Sequence, residues 1–286
     1  MKKIVLADRA GYCFGVKRAM NIAKDELEKK QDIEIYSLGP LIHNKQAVSK
    51  YEEMGLKVVD DINDISSKNE LELIIRSHGV SKSVYEDAKN RNIQIVDTTC
   101  PFVKKIHYIV HKSREENVEI LLLGDSKHPE VVGINGWCDN SAKIFKTLEE
   151  VKEVCFDPKK KYIVVSQTTM NEEVFKNIVR YLEGLKLDIT IENTICSATR
   201  VRQDAARDLA KDVNLVIVIG GRHSSNTQKL VQICGEIVET ISIETKDELD
   251  AYDLSNYESV GITAGASTPD WIIDDTISYL KTKYIN

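Results

Sequence analysis

From its N-terminus the chain alternates short β-type apolar runs with amphipathic stretches of helical period, and the same succession occurs three times. One series of runs, EIYSLG, EILLLG and NLVIVIG, ends at Gly39, Gly124 and Gly220. Each is followed by a helical stretch and a short apolar–acidic element: KVVDDINDI, KIFKTLEEV, ISIETKDEL. A second series, LIIRSHGV, YIVVSQTT and VGITAGAST, ends in polar groups at His78, Thr168 and Ser267. A third helix and one more strand close each unit. Strand and helix in regular alternation predict parallel sheets built from βαβ units, an α/β fold of three pseudo-symmetric domains.

The third copy is short by one element. After the helix-like PDWIIDDTISYLKTK the chain stops at Asn286, whereas KIVLA (residues 3–7) stands ahead of the first unit with no unit of its own. The expectation is that this N-terminal strand, within residues 1–12, completes the third sheet. The units are then 13–99, 100–195 and 196–286.

Those boundaries fall on cysteines. Cys13, Cys100 and Cys196 are 87 and then 96 residues apart, each after a β-type run and at the start of an amphipathic helix. A thiol at a helix N-terminus has a lowered pKa, and the thiolate is the metal-binding form. A fold repeated three times can bring one thiolate from each copy to a common axis. Zinc is the competing metal, but structural zinc sites draw their ligands in close pairs, and here no two of the three lie within 80 residues. Three cysteines holding an iron–sulfur cluster with one iron left open is the better reading. Cys138, Cys155 and Cys234 fall outside the repeat and read as small buried hydrophobes.

The strand ends carry a second set of groups. His43, His128 and Ser224 each stand four residues beyond the glycine of the first series. With His78, Thr168, Ser225, Asn226 and Ser267 they outline a polar pocket. Ligands bind open parallel sheets outside the carboxyl ends of the strands, where helix N-termini favour phosphate. Any single Ser, Thr or Asn here is explained as an N-cap, and a lone His as structural. Imidazoles repeated at equivalent strand ends point instead to a phosphate or diphosphate. Glu130, two residues past His128, is the candidate proton source, against the simpler role of an acidic residue at a helix start. His107 and His111 read as surface residues. Neither GxGxxG nor GxxxxGK[ST] occurs, so no nucleotide loop is indicated.

Composition narrows the partners. With 42% hydrophobic and 29% charged residues the chain is that of a folded globular protein. A net charge of −6 gives no nucleic-acid footprint, and no run approaches a membrane span. Six cysteines without a CxxC pair, behind an N-terminus too short for a signal peptide, point to a reducing cytoplasm.

The strings AGYCFGVKRA, GPLIHN, RSHGV, DTTCP, GDSKHPEV, SQTT, TICSATRVRQ, GGRHSSNT and AGAST together resemble the IspH (LytB) family, 4-hydroxy-3-methylbut-2-enyl diphosphate reductases, along essentially the whole chain. The resemblance implies a trefoil of three α/β domains around a 4Fe–4S cluster held by Cys13, Cys100 and Cys196. It implies a diphosphate pocket lined by His43, His78 and His128, with Ser224, Asn226 and Ser267 on phosphate oxygens and Ser225 a less direct contact. Glu130 and Thr168 would sit by the substrate hydroxyl, with His128 beside them in the catalytic group. The implied reaction removes the allylic hydroxyl as water with two electrons and two protons, giving isopentenyl and dimethylallyl diphosphates. Electrons would come from a small carrier such as ferredoxin or flavodoxin. The alternatives are a 4Fe–4S hydro-lyase acting on a phosphorylated small molecule, a non-catalytic iron–sulfur sensor, and a metal-free phosphate-binding module.

Overall fold

The structure is a computed structural model describing residues 3–29, 33–42, 44–66 and 70–285. His43 lies outside the described residues. The strands are β1 (Lys3–Leu6), β2 (Glu34–Leu38), β3 (Lys57–Val59), β4 (Leu71–Ile75), β5 (Gln94–Asp97), β6 (Glu119–Leu123), β7 (Lys143–Phe145), β8 (Lys161–Ser166), β9 (Asp188–Ile191), β10 (Leu215–Ile219), β11 (Thr240–Ile243) and β12 (Ser259–Ala264). The helices are α1 (Phe14–Glu28), α2 (Lys45–Glu53), α3 (Lys82–Asn90), α4 (Pro101–Glu115), α5 (Pro129–Gly136), α6 (Leu148–Lys152), α7 (Glu172–Gly184), α8 (Ser197–Lys211), α9 (Ser225–Gly235) and α10 (Asp270–Tyr284).

The strands form three four-stranded sheets in the orders β3-β2-β4-β5, β7-β6-β8-β9 and β11-β10-β12-β1, and every pairing is parallel. Central strands β6, β8 and β10 carry near-continuous runs of branched apolar residues because both faces are covered. In β10 alternation sends Leu215, Ile217 and Ile219 toward Ile272, Ile273 and Leu280 of α10. Val216 and Val218 face Ala206, Leu209 and Leu230 of α8 and α9. The second sheet repeats this. Leu121, Leu123 and Val164 pack on Phe175, Ile178 and Leu182 of α7, while Ile120, Leu122 and Val165 pack on Ile106, Val110, Val131 and Ile134 of α4 and α5.

The N-terminal strand completes the third sheet. Lys3 is level with Ser259 as Gln94 is with Glu72 and Asp188 with Lys161. β1 thus takes beside β12 the place that β5 takes beside β4 and β9 beside β8.

Helix ends are sealed locally. Asn92 and Asn117 adopt positive φ (54° and 57°) after α3 and α4, and the N–H groups of Ile93 and Val118 return to Ala88 and Ser113 at 2.9 Å in each case. These closures turn the chain from helix into β5 and β6.

By its contacts the chain divides into two compact units, Met1–Lys17 with Ile42–Glu53 and Ser197–Asn286, and Arg18–Leu41 with Met54–Cys196. The first unit holds the third sheet, and α2 belongs to it; Lys50 lies over the Trp271 ring at 5.8 Å. The second holds the other two sheets. Among the described residues no helix is long and apolar enough to cross a membrane.

Candidate active site

The backbone repeats at the strand ends as faithfully as the sheets do. Gly39, Gly124 and Gly220 follow β2, β6 and β10, and their N–H groups donate to Val59, Phe145 and Ile243 at 2.7, 2.8 and 2.9 Å. Tight turns then close from His128 N–H to Asp125 and from Ser224 N–H to Gly221, at 2.9 and 3.0 Å, making His128 and Ser224 the N-caps of α5 and α9. After β4, β8 and β12 a second set of turns runs from Gly79, Met170 and Thr268 to Arg76, Gln167 and Gly265.

Into these second turns the cysteines are tied. Cys100 N–H donates to the Ser77 carbonyl at 3.0 Å, Cys196 to Thr168 at 2.9 Å and Cys13 to Ala266 at 3.3 Å. Thr168 is therefore level with Ser77 and Ala266, while His78, Thr169 and Ser267 share the next position. Matching the runs on their polar residues sets Thr168 level with His78 instead, one residue out. The strings SHG, QTT and GAS share no residue that fixes the register, whereas the hydrogen bonds do.

In the second sheet the strand ends carry a carboxyl. Glu130, at the second position of α5, is 2% exposed. Its Oε1 accepts from Thr168 N–H at 2.6 Å and its Oε2 from the Thr168 hydroxyl at 2.8 Å. Burial pushes its pKa up to about 7, against the opposing pull of the two Thr168 hydrogen bonds. His128 Nδ1 accepts from Glu130 N–H at 3.2 Å, which leaves the ring proton of the neutral imidazole on Nε2. The His78 and His128 rings meet edge to face at 5.6 Å. His78, His128, Glu130 and Thr168 thus form one cluster.

In the third sheet the equivalent positions carry neutral groups. Ser224 is buried and its hydroxyl accepts from Thr227 N–H at 3.4 Å. Asn226, which holds the position of Glu130, is buried with its Nδ2 unpartnered. Its counterpart to Thr168 is Ala266, which offers no hydroxyl. Ser225 is exposed, and Ser267 half-buried. An unpaired buried amide at a helix N-terminus is a donor set for an anion.

The three repeat cysteines are half-buried, each immediately ahead of its helix: Cys13 before α1, Cys100 before α4 and Cys196 before α8. Pro101 occupies the first turn of α4. Soft sulfur donors at three equivalent helix N-termini suit an iron–sulfur group. Among the described residues no three His, Cys, Asp or Glu side chains are gathered to hold a metal ion, so the ligand set rests on the repeat.

Two expectations need correction. His107 is buried, not superficial, because its stretch of α4 packs between the second sheet and Trp137. Cys155 is exposed, since it falls in the loop after α6, while Cys138 and Cys234 are buried as read. Gln167 was not singled out, although it joins two strand ends: its Oε1 accepts from Asp125 N–H at 3.3 Å and its Nε2 donates to Thr169 Oγ1 at 2.6 Å. Its place inside SQTT was the available signal.

Three parallel sheets with polar side chains, helix N-termini and cysteines collected at the strand ends define an α/β enzyme scaffold of the phosphate-binding kind. The chain belongs to the LytB protein family, whose model matches residues 4–281. It is a family of iron–sulfur enzymes. The chain is 56% identical over 278 residues to the 4-hydroxy-3-methylbut-2-enyl diphosphate reductase of Clostridioides difficile (strain 630), covering 97% of this chain and 99% of that one. It is 50% identical to the reductase of the same name from Alkaliphilus oremlandii (strain OhILAs), over 98% and 99% of the two chains. Among solved structures, the E-1-hydroxy-2-methyl-but-2-enyl-4-diphosphate reductase of Plasmodium falciparum superposes with a TM-score of 0.90 at 31% identity, covering 98% of this chain and 88% of that one.

Proposed function

We propose that this chain reduces 4-hydroxy-3-methylbut-2-enyl diphosphate to isopentenyl and dimethylallyl diphosphates, the last step of the non-mevalonate isoprenoid pathway. The observation that carries the reading is the Glu130–Thr168 pair. A buried carboxyl with its pKa raised to about 7 holds a transferable proton near neutral pH, beside two imidazoles and within the LytB family.

Substrate, two electrons and two protons yield product and water. Cys13, Cys100 and Cys196 are the residues to hold a 4Fe–4S cluster. When bound, that cluster supplies the electrons and an open iron as Lewis acid for the leaving oxygen. The protein's own part is to bind, orient and protonate. His43, His78, His128, Ser224, Asn226 and Ser267 take the diphosphate, with the Asn226 amide donating to a phosphate oxygen; Ser225, being exposed, is a peripheral contact. Thr168 orients the allylic hydroxyl and Glu130 delivers the proton that leaves with it as water. Fixing the diphosphate positions the C–O bond for cleavage. A small cytoplasmic carrier, ferredoxin or flavodoxin, is the proposed electron donor, and units cut at the three cysteines are the proposed domains.

Anaerobic turnover by cluster-reconstituted protein, with reduced viologen and mass-spectrometric identification of products, tests the reading. Two isomeric C5 diphosphates formed only with reductant support it. Water elimination without reductant replaces it with a hydro-lyase, and an intact cluster without turnover or diphosphate binding replaces it with a sensor.

A further inference from the structure

We propose that His107 and Trp137 are positioning residues for this reaction, clamping the loop that carries His78 to the helix that begins at His128. The inference rests on the function proposed above. His107 lies seven residues beyond Cys100 on α4 and is 3% exposed. Its ring stacks on Trp137 at 5.2 Å between centroids and 17° between planes. Trp137 caps the far end of α5, and its Nε1 donates to the Val80 carbonyl at 2.9 Å, two residues past His78.

The residue between them must be glycine. Gly79 has φ +72°, and a Cβ there would stand 2.5 Å from His107 Cε1. α5 meets the same loop through two further glycines. A Cβ on Gly136 would lie 2.2 Å from Ser81 Cβ and 2.8 Å from Ser81 Cα, and one on Gly133 would lie 3.4 Å from the Gly79 backbone. Helix and loop backbones are thus in direct contact at one end of α5. At its other end the helix carries His128, whose ring meets His78, and Glu130. Burial holds His107 neutral, its pKa pulled down to about 4, so the clamp contains a flat uncharged ring at physiological pH.

A clamp of this kind acts on ligand geometry beyond what it adds to stability. The experiment is calorimetric titration of the cluster-loaded chain with inorganic diphosphate, together with kcat and KM. The variants are Trp137→Phe, which keeps the ring and removes the N–H, and His107→Leu, which removes the stack. Leu182→Ala, a cavity in the α7 core away from the clamp, controls for lost stability. Trp137→Phe is expected to bind diphosphate roughly fivefold more weakly and His107→Leu roughly tenfold, with KM rising in parallel and kcat little changed. Leu182→Ala is expected to melt earlier with unchanged diphosphate affinity. Clamp variants that melt earlier yet bind diphosphate as tightly as the wild type overturn the proposal. Wild-type protein that binds no diphosphate overturns the proposed function itself.

Discussion

The second and third sheets end in the same backbone and in different chemistry. Both present a glycine after the first central strand, a four-residue turn into a capped helix and a cysteine N–H tied to the opposite turn. At the second position of that helix one carries Glu130 and the other Asn226. Opposite, one carries Thr168 and the other Ala266. The carboxyl finds partners in Thr168 and is held near neutral pH by burial; the amide finds none and keeps a donor free. A repeated scaffold supplies helix N-termini everywhere, and single side chains decide which strand end carries a buried carboxyl and which an unpartnered amide.

The cysteines are common to both sheets, so replacing them has the largest effect. Serine at position 13, 100 or 196 is expected to lose most iron and essentially all turnover, measured by iron content, visible absorption and product formation. Serine at 138, 155 or 234 is expected to keep both. Full iron in any of the first three variants breaks the equivalence on which the comparison stands.

Exchanging the acid for its neutral counterpart comes next. Glu130→Gln keeps an acceptor for the Thr168 N–H and an NH2 that can donate to the Thr168 hydroxyl oxygen, but carries no transferable proton. Turnover is expected to fall by about two to three orders of magnitude with diphosphate affinity retained. Near-wild-type kcat removes Glu130 from proton delivery.

The same carboxyl couples stability to pH. Its pKa rises from 4.5 to about 7 on folding, so the folded chain binds this proton more tightly than the unfolded chain. The stabilisation is complete below the unfolded value and is lost as pH rises from there to about 7, on the order of 3 kcal/mol over the window. Glu130→Gln cannot lose a proton. Its melting temperature is expected to gain on the wild type by roughly 5 °C between pH 5 and pH 8. Parallel melting curves across that range mean that the carboxyl is not held protonated.

Much of this was legible in the sequence, for a physical reason. Apolar runs ending at Gly39, Gly124 and Gly220 betray buried strands, and a sheet one strand short demands the one left over at Lys3–Leu6. Glu130 reads from the sequence as a candidate proton source, but its burial and the approach of Thr168 from 38 residues away depend on packing. His107 misled because two histidines four apart on a helix with lysines beside them look like an exposed stripe. The stacking partner that buries His107 comes from α5, and no local pattern announces it. Thr168's level in the repeat is likewise set by the hydrogen bond that its carbonyl accepts from Cys196 N–H and not by side-chain likeness.

The smallest expected effect separates two serines of the third sheet. Ser224 caps α9 through Thr227 N–H, so Ser224→Ala should cost about 1 kcal/mol of stability by exposing that donor. Ser267 precedes α10 by three residues and is not its cap, which falls on Pro269. If both hydroxyls hold phosphate, each alanine variant should weaken diphosphate binding several-fold while only Ser224→Ala lowers the melting temperature. The double variant should then bind more weakly than either single variant, and any departure from additivity measures the coupling of two contacts through one shared ligand. Loss of stability at Ser224 with unchanged affinity would reduce that residue to an ordinary helix cap. The anion-holding role of the third sheet would then fall to Asn226 and Ser267 alone.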